Sequence, residues 1–191
     1  MKLIPTPYVK YKFLNSLFTG LSVGSVFVIY EPLNPSVFSL GGILLAIGML
    51  IVAKFYEVLL NVEKYFLIAL LVELVMLFLI LYFLIKPYSY HTALLIYGGY
   101  QLTFIFGAYL VRAETLIVRK KKLLTIVDVA KQYGYLSGMG VSYLFYKTAE
   151  FFSVSDKKEQ VYDLHFLLLA VELAVIIYFI KSFKKRPRKL S

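Results

Sequence analysis

The chain has 191 residues, of which 60% are hydrophobic and 17% charged, with a net charge of +10 and no cysteine. A mean hydropathy of +0.76 excludes an ordinary soluble domain, and the missing cysteines exclude disulfides, thiolate nucleophiles and thiolate metal sites. Apolar runs of about 18 or more residues recur along the whole length, as expected for an all-α integral membrane protein of several helices.

Met1 to Lys12 carries Lys2, Lys10, Lys12 and two prolines. It leads into an apolar span without a small-x-small cleavage pattern, which predicts a retained helix rather than a removed signal peptide. Six spans are predicted at about 12–30, 36–60, 65–86, 91–112, 123–147 and 163–181. Glu31-Pro32-Leu33-Asn34-Pro35, Asn61 to Lys64 and Lys86-Pro87-Tyr88-Ser89 supply short turns, and Arg119 to Lys122 and Ser153 to Gln160 the longer loops.

The basic residues orient these spans. With the N-terminus inside, the inner side receives Lys2, Lys10, Lys12, Lys54, Lys64, Arg112, Arg119, Lys120, Lys121, Lys122, Lys181, Lys184, Lys185, Arg186, Arg188 and Lys189, sixteen in all. The outer side receives only Lys86, Lys147, Lys157 and Lys158, while Lys131 falls within the fifth span. Both termini are therefore expected in the cytoplasm, in a bacterial or archaeal cytoplasmic membrane. The placement explains the positive charge by orientation, not by nucleic acid, and the basic tail at 182–191 is suited to anionic lipid headgroups.

Glu73 and Glu172 sit in the middle of spans three and six in nearly the same words, Leu71-Val72-Glu73-Leu74-Val75 and Ala170-Val171-Glu172-Leu173-Ala174. A carboxyl at bilayer depth costs roughly 2.5–3.5 kcal/mol on insertion scales and marks a functional site by default. Two further matches precede this pair. Gly24 stands seven residues before Glu31 as Gly107 does before Glu114, and Lys54-x-x-Glu57 ends span two as Lys147-x-x-Glu150 ends span five. The offsets of 83, 93 and 99 grow where the second half has longer loops. Residues from about 10–86 and about 91–181 thus read as two copies of a three-helix unit within one domain, the second inverted because three is odd.

On these features the chain resembles one six-helix half of a major facilitator superfamily transporter, with its 3+3 inverted repeat. The short outer turn followed by the glycine-containing Phe38-Ser39-Leu40-Gly41-Gly42 adds to the likeness. The family's usual glycine and Asp-Arg signature between spans two and three is absent; the stretch reads Lys54-Phe55-Tyr56-Glu57-Val58-Leu59-Leu60-Asn61-Val62-Glu63-Lys64. The resemblance implies that two chains supply the two halves as a homodimer, and that spans one and four line a path. Their polar residues Asn15, Ser16, Thr19, Ser22, Ser25, Tyr97, Tyr100, Gln101 and Thr103 are then the pathway candidates. It also places spans three and six at the periphery.

Glu73 and Glu172 are candidates for proton coupling, for structural hydrogen bonding within the bundle, or for a subunit interface. Asp128 and Lys131, three apart on one helix, form a candidate gate that Arg112 and Glu114 join, and Lys54 with Glu57 and Lys147 with Glu150 are interfacial pairs or gates. Gly20-x-x-x-Gly24 and Gly134-x-x-x-Gly138 predict that spans one and five are tightly packed, against each other or against a second subunit. His91 and His165 are the only histidines and build no metal motif. There is no Gly-x-Ser-x-Gly elbow, and Gly-Met-Gly at 138–140 lacks the strand that a nucleotide loop needs, so neither an enzyme nor a cofactor or metal is expected. The expected function is a small secondary transporter, carrying a small solute by alternating access in the lipid bilayer. The alternative is a non-transporting accessory or scaffold subunit.

Overall fold

A computed structural model describes residues 1–184. Lys185, Arg186, Arg188 and Lys189, which entered the charge count, lie outside the described residues. The chain is all-α apart from a two-residue pair at its ends. In order it runs β1 (Lys2–Leu3), α1 (Pro5–Ile29), α2 (Pro35–Lys54), α3 (Tyr56–Leu59), α4 (Val62–Ile85), α5 (Tyr90–Ile105), α6 (Gly107–Val118), α7 (Lys121–Phe151), α8 (Lys157–Lys181) and β2 (Phe183–Lys184).

Local chemistry sets these boundaries. Prolines occupy the first turns of α1 and α2, where a missing N–H costs nothing and φ is already helical. The Asn61 side chain caps α4 by accepting from the Lys64 N–H, Ser89 caps α5 through the Thr92 N–H, and Asp156 caps α8 through the Lys158 N–H. Tyr88, Arg119 and Ser153 take positive φ at the turns after α4, α6 and α7.

The helices outrun the apolar spans. α1 begins at Pro5 rather than near 12, where prolines start its first turn, and α8 at Lys157 rather than near 163, where Asp156 caps a polar turn ahead of the apolar stretch. Span two breaks at Phe55 into α2 and α3. Span four breaks at Phe106 into α5 and α6. The predicted loop at Arg119 to Lys122 shrinks to two residues, since α7 already starts at Lys121.

Among the described residues, five helices are long and apolar enough to cross a membrane: Pro5–Ile29, Pro35–Lys54, Val62–Ile85, Tyr90–Val118 and Lys157–Lys181. The predicted fifth span, inside α7, is not among them, since its glycines, serines and tyrosines, with Asp128, Lys131 and Gln132, leave it too weakly apolar. This composition and architecture fit an integral membrane protein.

α1 is the hub. It runs parallel to α7, with Phe13 and Leu17 against Gly134, and Leu17 and Leu21 against Gly138. It runs antiparallel to α8, where Tyr11 meets Phe179 at 4.9 Å between ring centroids and Tyr8 meets Phe183 at 6.2 Å. α4 is antiparallel to α8, with Phe66 on Phe179 at 5.2 Å and Phe83 on His165 at 4.0 Å. α5 returns antiparallel along α4, and α2 lies parallel to α5, Gly41 against Tyr97 and Gly48 against Ile105. The β1–β2 pair, Lys2 with Lys184 and Leu3 with Phe183, ties the two ends of the described chain together.

Three glycines make the α1–α7 contact. A Cβ at Gly20 would lie 2.9 Å from the Met139 nitrogen and would strike the Tyr135 carbonyl. At Gly138 it would lie 2.9 Å from the Leu21 nitrogen, and at Gly134 3.2 Å from the Leu17 nitrogen. These neighbours are backbone and cannot swing aside. The fourth glycine of the two motifs differs, for Gly24 faces only the Tyr146 ring at 3.4 Å. Replacing Gly138 by Leu is expected to cost about 3 kcal/mol or more through overpacking, read as a lower midpoint of thermal unfolding in lipid nanodiscs. Gly140→Leu, on the same helix with nothing within 4 Å, should stay within about 0.5 kcal/mol of the parent.

Candidate functional site

Polar side chains from α1, α4, α6 and α7 converge toward the end of the bundle that holds both described chain ends. Lys12, one helical turn beyond Tyr8 on α1, is buried, as is Glu114 on α6. The Lys12 ammonium lies 3.2 Å from Glu114 Oε2, and Lys131 from α7 donates to the same oxygen at 2.9 Å. Lys131 also reaches Asp128 at 3.1 Å, and Asp128 faces outward. One buried carboxylate thus joins three helices.

The aromatic surroundings of Lys12 are built from α1 and α4. Its ammonium sits 5.1 Å from the Tyr11 ring centroid and 5.5 Å from that of Tyr8, within cation–π range. The Tyr8 and Tyr65 hydroxyls share a 2.6 Å hydrogen bond. Removing Glu114 would leave the buried Lys12 ammonium without its acidic partner, a larger loss than the pair's net contribution.

Deeper in the bundle, Glu73 turns inward from α4. Tyr11 donates to its Oε1 at 2.6 Å, and the Asn15 amide reaches both oxygens at 3.2 and 3.3 Å. Glu172 on α8 is fully buried at the same depth and near enough to Glu73 to interact electrostatically. Among the described residues, neither of its oxygens has a hydrogen-bond partner. Because α4 and α8 pack on each other and α8 on α1, both carboxyls are enclosed by their own chain and form no part of its surface.

The pathway candidates divide. Asn15 is committed to Glu73. Thr19, Ser22, Ser25 and Thr103 donate to carbonyls of their own helices at 3.1, 3.0, 2.7 and 2.8 Å, the local alternative open to a hydroxyl in an apolar setting. Tyr97 donates to the Phe38 carbonyl at 3.1 Å and belongs to the α2–α5 contact. Tyr100 lies beside Ser22, and Gln101 keeps a buried Oε1 without a partner among the described residues. Ser16 is half-buried on α1.

The gate candidates divide too. Glu114, Asp128 and Lys131 meet as described. Arg112 does not join them, and lies over the Tyr56 ring at 5.7 Å instead. Lys147 and Glu150 pair at 2.7 Å on the surface, where such a pair is worth little. Lys54 and Glu57 are exposed and form no ion pair among the described residues, since the break at Phe55 puts them on separate helices.

Sequence reasoning counted Lys12 only as a topology charge and passed over Tyr8, Tyr11 and Tyr65. The available signal was spacing: Tyr8, Tyr11, Lys12 and Asn15 fall at three- and four-residue intervals, and Tyr65 and Glu73 lie two turns apart on one face. Their partners across helices left no such trace.

No protein-family model, curated protein or solved structure matches the chain. The class that the composition and fold define is an all-α protein with several membrane-length apolar helices.

Glu114→Gln is expected to destabilise the protein by about 3–5 kcal/mol, because it leaves the buried Lys12 ammonium without the carboxylate that it pairs with. Lys12→Met added to it should cost much less than the sum of the two single losses, because the double variant buries no unpaired ammonium and Lys131 keeps Asp128. Denaturant unfolding of the two singles and the double in nanodiscs measures this; strict additivity would contradict the coupling.

Proposed function

We propose that the protein is a small secondary transporter of six spans, built as two inverted three-helix repeats and working as a homodimer by alternating access. α7 supplies the remaining crossing. It runs parallel to α1, and its 31 residues extend about 46 Å at 1.5 Å per residue. By the distribution of basic residues, both termini lie in the cytoplasm.

The observation that carries this reading is how neighbours exchange under the repeat. Pairing each span with the one three later sets α1 with α5–α6, α2 with α7 and α4 with α8. The parallel α1–α7 contact then becomes the parallel α5–α2 contact, the antiparallel α1–α8 contact becomes α5–α4, and α4–α8 returns to itself. The 93-residue offset between Lys54 and Lys147 also relates Gly41 to Gly134. Each of these glycines lets its helix close on the partner that the exchange requires, Tyr97 on α5 and Phe13 on α1. Inverted repeats of this kind support alternating access around a site near the midplane between the repeats, which is where Glu73 and Glu172 meet.

The two carboxyls divide the work. Glu73 is held by Tyr11 and Asn15, whereas Glu172 has no hydrogen-bond partner among the described residues and is the group that binds and releases a coupling proton. The Lys12–Glu114–Lys131 bridge closes the cytoplasmic end and breaks when that end opens. α2 and α7 expose broad apolar faces, with Ile43, Leu44 and Ile47 on one and Leu136, Tyr143 and Leu144 on the other. A second copy docks there.

A second reading, a non-transporting accessory or scaffold subunit, is favoured by one observation: most polar groups of α1 and α5 are already spent on backbone carbonyls or on Glu73. Proteoliposomes loaded with a pH-sensitive dye separate the two, screened against amino acids, sugars and small organic ions. Transport predicts solute-dependent proton movement that Glu172→Gln reduces at least tenfold while the dimer persists by native mass spectrometry. A strictly monomeric protein with no solute-dependent signal would establish the scaffold reading.

A further inference from the structure

α1, α7 and α8 leave an open groove of about 840 Å3 on the outer surface of the bundle, at the end that holds both described chain ends. The glycines hold α1 and α7 together further along, whereas α7 and α8 hardly touch, so the outer face of α1 is uncovered between them. Phe13, Leu14, Ile126, Val129 and Tyr133 make an apolar channel open to the outside of the bundle, and Tyr178 stands at its rim with Lys10.

The rim carries a concentrated positive charge. The Lys10 ammonium lies 5.6 Å from the Tyr178 ring centroid and the Lys181 ammonium 5.7 Å from the same ring. Both lysines are exposed, and among the described residues neither pairs with an acidic group. The nearest elements add Lys2 and Lys184 from the β1–β2 pair and Lys121 and Lys122 from the start of α7. On the α7 side Asp128 is engaged by Lys131. Two like charges gathered on one ring repel each other, and an anion placed between them relieves that repulsion.

We infer that this groove is a binding site for an anionic phospholipid, its phosphate held between Lys10 and Lys181 and one acyl chain laid along the channel. A neutral lipid fills the channel equally well but gains nothing at the rim, so the site selects by headgroup charge. Each lysine near an anionic headgroup contributes about 1 kcal/mol, equivalent to roughly fivefold in affinity. This site is separate from the buried carboxyls and does not depend on transport.

Native mass spectrometry of the full chain in detergent tests the inference, with short-chain phosphatidylglycerol, phosphatidylcholine and chain-free glycerol phosphate as probes. The expected result is one phosphatidylglycerol bound roughly 25-fold more tightly than phosphatidylcholine, fivefold from each lysine, with glycerol phosphate far weaker than either. Lys10→Gln with Lys181→Gln should abolish the headgroup preference, and each single variant should reduce it by roughly fivefold, in protein that elutes and melts as the parent does. Val129→Trp, which fills the channel, should weaken both lipids alike. Equal binding of the two lipids, a preference surviving in the double variant, or glycerol phosphate binding as tightly as the lipid would each overturn it.

Discussion

The backbone contact of α1 with α7 is the constraint on which the rest depends. Gly20, Gly134 and Gly138 let the two helices meet main chain to main chain, and any side chain there would push them apart. That approach brings Lys131 to the oxygen of Glu114 that Lys12 already engages. Without it, Lys12 would share a buried carboxylate with no cation from α7, and α7 would lose its principal partner. In an apolar solvent, where no hydrophobic effect drives helices together, close van der Waals packing and interhelical polar contacts must supply the cohesion.

α1 serves four neighbours by dividing its surface. Its small residues meet α7, its aromatic residues Tyr8 and Tyr11 meet α8 and α4, Asn15 reaches Glu73, and Lys12 reaches α6. The two mid-depth glutamates are equivalent in sequence and unequal in surroundings. Glu73 is hydrogen-bonded and, among the described residues, Glu172 is not, because Tyr11 and Asn15 point to α4 and no described side chain points to Glu172 in the same way. The bundle therefore carries an asymmetric pair of acids, and the asymmetry lies in α1.

The same division leaves the outer face of α1 open between α7 and α8. Near the chain ends this opening is apolar along its floor and basic at its rim, since Lys10 and Lys181 extend their stems along the surface and gather their charges on Tyr178.

The apolar runs, the turns at Glu31 to Pro35 and Lys86 to Ser89, and the tight packing of α1 and α7, though not that they pack on each other, were all legible in the order of residues. Each follows from a local property: apolar length, a proline or a capping side chain, a pair of glycines four apart. The costly carboxyls were legible for the same reason, since depth in an apolar run can be counted. Their environments were not. That Lys12 is a buried partner rather than an orienting charge, that Arg112 leaves Glu114 for Tyr56, and that Asn15 belongs to Glu73 depend on residues up to about a hundred positions apart. The sequence alone determined which groups must be buried in lipid-like surroundings; only the tertiary structure decided which of them find partners, because a hydrogen bond or ion pair across helices requires a rotation and depth that spacing along one helix does not encode.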